Sequence, residues 1–284
     1  MWTQIVGKTR LALAPMVNHW WQVPLYVSVR GLSTAAMPCG AGSFDVEFDF
    51  LQHELAIRTD GGVRRTLPLV ARSVSDFYRE YVALLESLGL RVRIRPVPVE
   101  VVQAIPFAED REHASYNPDA AQRFFRALSQ VDRLLKEFRG RFVGKCSPVH
   151  FFWGSFDLAC TRFSGRRAPL HPGGSPNCPD YVMQEAYSHE CISAGWWPGG
   201  GAVREPAFYA YAYPEPAGLK NAAVRPHEAY YHRDMGEFIL PYDGVRGARD
   251  PDEMVLSFLQ STYEAAADLA GWDRAALERS KEDR

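Results

Sequence analysis

Cysteine is scarce in this chain: five residues among 284, at Cys39, Cys146, Cys160, Cys178 and Cys191. The number is odd and no two stand as Cys-x-x-Cys, which argues against a disulfide framework and against a zinc ribbon. Lysine is scarce too, five residues within a lysine-plus-arginine total of 32. The arginine excess suits fixed, bidentate contacts with carboxylate or phosphate, and a genome-wide codon bias would produce it equally. No window holds 18 uncharged apolar residues, so no transmembrane helix is expected. No charged segment followed by an apolar run and a cleavage site is found near the start, so no signal peptide is read. The net charge of −2 is too close to neutrality to supply the basic field that nucleic acid attracts. The expectation is a protein of a reducing cytoplasm with neither membrane nor nucleic acid as partner.

What is present is ordinary globular composition, 46% hydrophobic and 23% charged, enough for one large domain or two modest ones. Residues 3–16 read as a helix that Pro15 disturbs. Pro24 to Val29 is rich in β-formers, and Phe44 to Phe50 alternates apolar and polar residues as a half-buried strand does. His53–Thr59 and Val63–Leu69 flank Asp60-Gly61-Gly62, a hairpin turn in which glycine accepts positive φ. Ser73 or Ser75 caps a helix that runs to Leu88 and ends at Gly89. Arg91 to Arg95 reads as a strand. After a proline-punctuated connector, Asn117-Pro118 opens a helix with Phe125, Leu128, Leu135 and Phe138 on its apolar stripe, closed by Gly140. Glu237 to Leu240 is a short strand, and Asp250-Pro251 starts the last long helix.

A weak repeat relates the halves. Pro24-Leu-Tyr-Val-Ser-Val resembles Pro148-Val-His-Phe-Phe-Trp, His53-Glu54 resembles His189-Glu190, and Leu67-Pro68 resembles Leu240-Pro241. The fold class read from this is α+β: two similar halves, each a mainly antiparallel sheet packed by a long helix, as an internal duplication would give. The halves are 1–142 and 143–284, which could also form one continuous domain.

The stretch from Lys145 to Pro216 concentrates aromatics, histidines, carboxylates and arginines within strand-like runs, more polar groups than a plain core needs. On one straight strand, His150 and Asp157 would lie roughly 23 Å apart and on opposite faces. A hairpin turning at Gly154-Ser155 would instead pair Phe152 with Asp157 and His150 with Ala159. His150 and Asp157 then fall diagonally on one face, with Arg162 on the other. Read as a strand, Glu185, Tyr187 and His189 share a face, so a carboxylate beside an imidazole could serve as acid and base; a hydrogen-bonded structural histidine is the alternative. His150, Asp157, Glu185 and His189 are therefore the candidates for proton transfer or metal ligation. Trp153, Trp196, Trp197 and Arg162 are the candidates for ligand packing, although adjacent tryptophans also anchor cores. Lys145, Arg162, Arg166 and Arg167 read as an anion site or as a solvated charge run. Tyr209, Tyr211 and Tyr213 alternate along one strand face, as core, interface or ligand platform.

Several motifs fail. Gly7-Lys8-Thr9 lacks the first glycine of a phosphate loop, and Gly140 to Cys146 has the wrong spacing and no hydroxyl for magnesium. Gly199-Gly200-Gly201 is no dinucleotide fingerprint. His189-Glu190 opens like a zinc-protease motif, but Ser193 stands where the second histidine belongs. His171 and Cys178 bracket a Pro/Gly loop and are too sparse to specify a metal. No metal or cofactor is assigned.

The runs Trp-Thr-Gln-Ile-Val-Gly-Lys, Asn-His-Trp-Trp, Gly-Lys-Cys-Ser-Pro-Val-His-Phe-Phe-Trp-Gly-Ser-Phe-Asp-Leu, Thr-Arg-Phe-Ser-Gly-Arg and Glu-Ala-Tyr-Ser-His-Glu resemble an uncharacterised bacterial family, domain-of-unknown-function family 5996, over nearly the whole chain. The resemblance implies a cytosolic bacterial protein and supplies no activity, cofactor or catalytic residue. It also implies that members begin upstream of Met1-Trp2, so the expectation is either a missing N-terminal strand or a misassigned start. The functional expectation is a small-molecule enzyme or ligand-binding protein with its site in the second half. The alternative is a non-catalytic interaction protein, such as a homodimer, that uses its aromatic strand face.

Overall fold

The computed structural model describes residues 1–279. Among them are seven α-helices and two six-stranded antiparallel sheets, an α+β architecture of two similar halves. The chain forms two compact units. The first comprises residues 1–129, 151–155 and 172–183; the second comprises residues 130–150, 156–171 and 184 onward.

In the first unit, α1 (Trp2–Leu13) stops before Pro15, with Ala14 already extended, because the residue before proline is excluded from the helical region. The helix is buried through Thr3–Arg10 although half of that run is polar. Gln4 is satisfied by a segment distant in sequence: its side-chain amide donates to the Val99 carbonyl (2.9 Å) and accepts from the Val99 amide (2.8 Å). The sheet consists of β1 (Tyr26–Val27), β2 (Gly31–Ser33), β3 (Met37–Cys39), β4 (Gly42–Asp49), β5 (Glu54–Thr59) and β6 (Arg64–Pro68). Its order is β1-β2-β4-β5-β6, with β3 on β4. Phe44, Val46 and Phe48 alternate onto one buried face as read, opposite Thr59, Ile57 and Leu55 of β5, but the strand is not half-buried, because Glu47 and Asp49 on its other face are buried as well. The hairpin between β5 and β6 turns at Gly62 (φ 79°), as expected.

Helix α2 (Val74–Ser87) is capped by the Ser73 hydroxyl, which accepts the Asp76 amide at 3.1 Å. It packs on α1 through stacked Phe77 and Trp2 rings (4.5 Å) and a Tyr81-to-Thr9 hydroxyl bond (3.0 Å). The strand expected at Arg91–Arg95 does not form; the segment has no regular structure. Pro96 and Pro98 follow it closely, restricting the preceding residues and withholding ladder donors. Helix α3 (Pro118–Gly140) begins in the first unit and ends in the second.

The second sheet contains β7 (His150–Phe152), β8 (Asp157–Arg167), β9 (His189–Trp197), β10 (Ala207–Tyr213), β11 (Tyr230–His232) and β12 (Glu237–Pro241), in the order β11-β12-β10-β9-β8-β7. The hairpin between β7 and β8 exists, but its left-handed residue is Phe156 (φ 63°) rather than Gly154. Four further helices belong to this half of the sequence: α4 (Asp180–Ala186), α5 (Tyr242–Gly247), α6 (Pro251–Leu269) and α7 (Arg274–Leu277). Asp250 caps α6 by accepting the Glu253 amide at 3.1 Å. Val255, Phe258, Leu259 and Tyr263 of α6 are buried, and the helix packs on β9 and β10. None of the described helices is long and apolar enough to cross a membrane.

Candidate functional site

Strand β10 reads Ala-Phe-Tyr-Ala-Tyr-Ala-Tyr, and period two divides it cleanly. Phe208 and Ala210 point to the apolar face; Tyr209, Tyr211 and Tyr213 point to the other. The register sets Tyr209 opposite Gly195 of β9 and Ile239 of β12, Tyr211 opposite Ser193, and Tyr213 opposite Cys191. Directly opposed residues share a face, so Asp157, alternating with Ala159 on β8, and Glu237, alternating with Ile239 on β12, join the tyrosine face. Gly195 makes this possible. A Cβ there would lie 2.5 Å from the Tyr209 hydroxyl oxygen and 2.4 Å from the Leu158 carbonyl oxygen. The Tyr209 ring lies across β9 in the space that this glycine leaves, and its hydroxyl donates to Asp157 Oδ2.

Other hydroxyls on this face are paired as well. Tyr187 and Tyr211 share a hydrogen bond of 2.7 Å between their hydroxyls, and Thr161 and Ser193 share one of 2.9 Å. His171 stacks on Tyr187 at 4.8 Å and lies 5.0 Å from Tyr213, while Trp197 lies 5.6 Å from Tyr209. The electrostatics follow from desolvation. Burial pushes the Tyr187, Tyr209 and Tyr211 hydroxyls above their ordinary range, and the negative charge of Asp157 adds to the effect at Tyr209. Burial lowers His171. Glu237 is pushed up to about 7, by burial first and by repulsion from Asp157 second. Among the described residues no lysine, arginine or histidine lies within ion-pair distance of Glu237. A carboxyl that titrates near neutrality can hold or release a proton at physiological pH.

Asp157 and Trp197 are the sequence-derived candidates that lie on this face. His150 is fully buried at the start of β7. His189 opens β9 opposite Arg167, its Nδ1 3.0 Å from the Ser188 hydroxyl. Glu185 does not share a strand face with Tyr187 and His189: it lies in α4, and the strand begins only at His189. The run Met-Gln-Glu-Ala is built from good helix formers behind Asp180, which favours the helix start. Trp196 points to the apolar face opposite Leu158 and Phe208, 2% exposed, with Tyr242 at 5.5 Å. Arg162, 1% exposed, is on that same face, opposite in sense to Asp157 as expected. Trp153 belongs to the first unit, where its indole N–H donates to the Val23 carbonyl (2.8 Å) and its ring fills the space that Gly7 leaves on α1. Arg166 pairs with Glu190 at 2.7 Å and also donates to carbonyls at the end of α6.

Sequence reasoning passed over Glu237, Tyr187 and His171 as site residues. A signal existed for Glu237. It is the one carboxylate in the Glu-Phe-Ile-Leu-Pro strand, and period two gives it the face of Ile239. Nothing local could have paired Tyr187 with Tyr211, since that contact depends on strand register. A cleft of about 180 Å³ lies at the Tyr213 end of the row, lined among others by Cys191, Ala212, Pro214 and Trp272. Among the described residues no group of three or more His, Cys, Asp or Glu side chains is arranged to hold a metal ion.

The model of a family described as a family of unknown function (DUF5996) matches residues 1–279. No curated protein and no solved structure matches the chain.

Proposed function

Because the chain belongs to DUF5996, a family of unknown function, its activity must be read from its own side chains, and we propose a small-molecule enzyme or ligand-binding protein that works on the tyrosine face of the second sheet. The observation that carries this reading is Glu237, a carboxyl held beside Asp157 and a row of tyrosines with no cation paired to it among the described residues. In this reading Glu237 accepts a proton from the ligand and returns it. Asp157, oriented by the Tyr209 hydroxyl, is a fixed acceptor for an amine or hydroxyl of the ligand. Tyr211, Tyr213 and Trp197 supply ring faces that cover apolar or cationic parts of it. The five cysteines, all without a disulfide, fit a cytoplasmic setting for this chemistry.

The test is a ligand-observed NMR screen of small amines, alcohols and carboxylic acids against the full-length protein, repeated with Glu237→Gln and Tyr209→Phe. The expected result is a set of binders whose affinity falls about tenfold in either variant, equivalent to roughly 1.4 kcal/mol. Binders indifferent to both substitutions, or no binder at all, would remove the reading.

A further inference from the structure

On the opposite face of the same sheet, Cys146 and Cys160 bring their Sγ atoms to 3.5 Å. The backbone holds them there from both sides. Cys146 bridges Arg162 in antiparallel register, Ser147 N–H donates to the Thr161 carbonyl (2.8 Å), and Phe163 N–H donates to the Lys145 carbonyl (2.9 Å). Cys160 is fully buried on β8, whereas Cys146 keeps contact with solvent.

Beside the two thiols lies Arg162. Its guanidinium sits 3.5 Å from the Phe138 ring centre, 4.3 Å from that of Tyr263 and 5.0 Å from that of Phe142. One of its terminal nitrogens donates to the Phe138 carbonyl, and its Nε has no hydrogen-bond partner. Among the described residues no carboxylate lies within ion-pair distance of it. A cation stripped of water and of a carboxylate strongly favours an anion nearby. The thiols of Cys146 and Cys160 are the first groups to act on its charge, ahead of Tyr263 and Glu278, while burial pushes the guanidinium down to about 10. In return, the hydrogen bond from Cys160 draws the Cys146 thiol below its ordinary range, with Arg162 and then Arg139 adding to it against the opposing effect of burial. Arg139 is itself tied to the neighbouring residue through the Ser147 carbonyl (2.7 Å).

We propose that Cys146 and Cys160 form a redox-active dithiol that hydrogen peroxide converts into an intramolecular disulfide, with Arg162 as the buried counter-charge of the attacking sulfur. The Cys146 thiolate attacks one peroxide oxygen; the O–O bond breaks, Cys146 becomes a sulfenic acid, and the departing hydroxide takes a proton from solvent. The Cys160 sulfur then attacks the sulfenic sulfur. The S–O bond breaks, the disulfide forms, and the leaving hydroxide combines with the Cys160 proton. Two electrons pass from the sulfurs to the peroxide, and two waters are released. Closing 3.5 Å to an S–S bond of about 2.05 Å needs side-chain rotation and a small strand adjustment rather than unfolding.

The test uses the full-length protein, reduced, freed of reductant and exposed to equimolar hydrogen peroxide, then alkylated under denaturing conditions and digested. Mass spectrometry is expected to find one cross-linked peptide joining Cys146 to Cys160, lighter by about 2 Da for the two hydrogens lost, with Cys39, Cys178 and Cys191 alkylated. In Cys160→Ser, Cys146 is expected to stop at the sulfenic acid and be captured by a cyclic 1,3-dione. In the native wild-type protein, the rate of iodoacetamide labelling at Cys146 should titrate with a midpoint below the ordinary thiol value of about 8.5. In Arg162→Met, which replaces a buried charge with an apolar chain of similar length, that midpoint should rise by about one unit. Two alkylated cysteines after peroxide, a disulfide to any other cysteine, or an unshifted wild-type midpoint overturns the proposal without reliance on any variant.

Discussion

The two sheets handle carboxylates in opposite ways. In the first, β4 places Asp45, Glu47 and Asp49 on one face by strict alternation, and each meets an arginine. Arg58 reaches Asp45 at 2.9 Å and Glu47 at 2.8 Å, Arg30 pairs with Asp49, and the Ser28 hydroxyl donates to Glu47 at 2.5 Å. In the second sheet, alternation likewise collects Asp157 and Glu237 on one face, but the neighbours are tyrosines. Burial opposes ionisation in both sheets. At Asp49 the Gln52 amide, Arg30 and the Leu51 amide overcome it and hold the carboxyl below the ordinary range. At Glu237 nothing overcomes it, and the value rises to about 7. The counter-charge, not the strand pattern, decides which of these carboxyls is held ionised.

This difference predicts pH dependences of opposite sign. The folded value of Asp49 is depressed, so its contribution to stability is present above its unfolded value of about 4 and is lost as pH falls through the folded one. The folded value of Glu237 is raised, so the folded state binds more protons between about 4.3 and 7; its contribution is present at low pH and is lost as pH rises through about 7.

The largest effect is expected for Asp49→Ala. This removes the acceptor of the Leu51 and Gln52 amides (2.9 Å each) and the partner of Arg30. Urea denaturation at pH 7 should show a loss of about 3 kcal/mol, shrinking in acid. A loss below about 1 kcal/mol, or one independent of pH, would mean that the pairing is incidental. Next is Tyr209→Phe, which withdraws a hydroxyl from a buried carboxylate and should cost about 2 kcal/mol. A neutral result would show that Asp157 has no need of that donor, and the contrast between the sheets would weaken. The smallest is Glu237→Gln, expected to raise stability at pH 8 by about 1 kcal/mol, with the gain fading toward pH 5. Thermal melts at both pH values measure it, and a destabilised variant at pH 8 would break the comparison outright.

The two sheets also differ in how far their side chains could be read in advance. The β4 pattern, the Gly61-Gly62 hairpin and the tyrosine row of β10 were legible because period two and turn chemistry act over a few residues. Glu185 was misread because Tyr187, Ser188 and His189 look extended, and that signal was carried backward into helix-forming residues. Arg91–Arg95 was misread because alternating charge and aliphatic residues look like a strand edge, although the prolines beyond them deny it a ladder. Trp153, Trp196 and Trp197 were grouped by type. Strand register sends Trp196 to the apolar face and Trp197 to the tyrosine face, and the units separate Trp153 from both.

By itself the sequence determined the α+β class, the starts of the helices at Ser73 or Ser75 and at Asp250, and the tyrosine face. Each of these depends on residues within one turn or one strand of one another, where backbone geometry and capping leave few choices. Only the tertiary structure decided that Tyr209 reaches Asp157 across Gly195, that Glu237 lies beside them with no cation paired to it, and that Cys146 meets Cys160 beside a buried arginine. Those pairings join residues from 14 to 80 positions apart along the chain. They exist because antiparallel register selects which side chains share a face and which are deprived of water, and no local pattern carries that information.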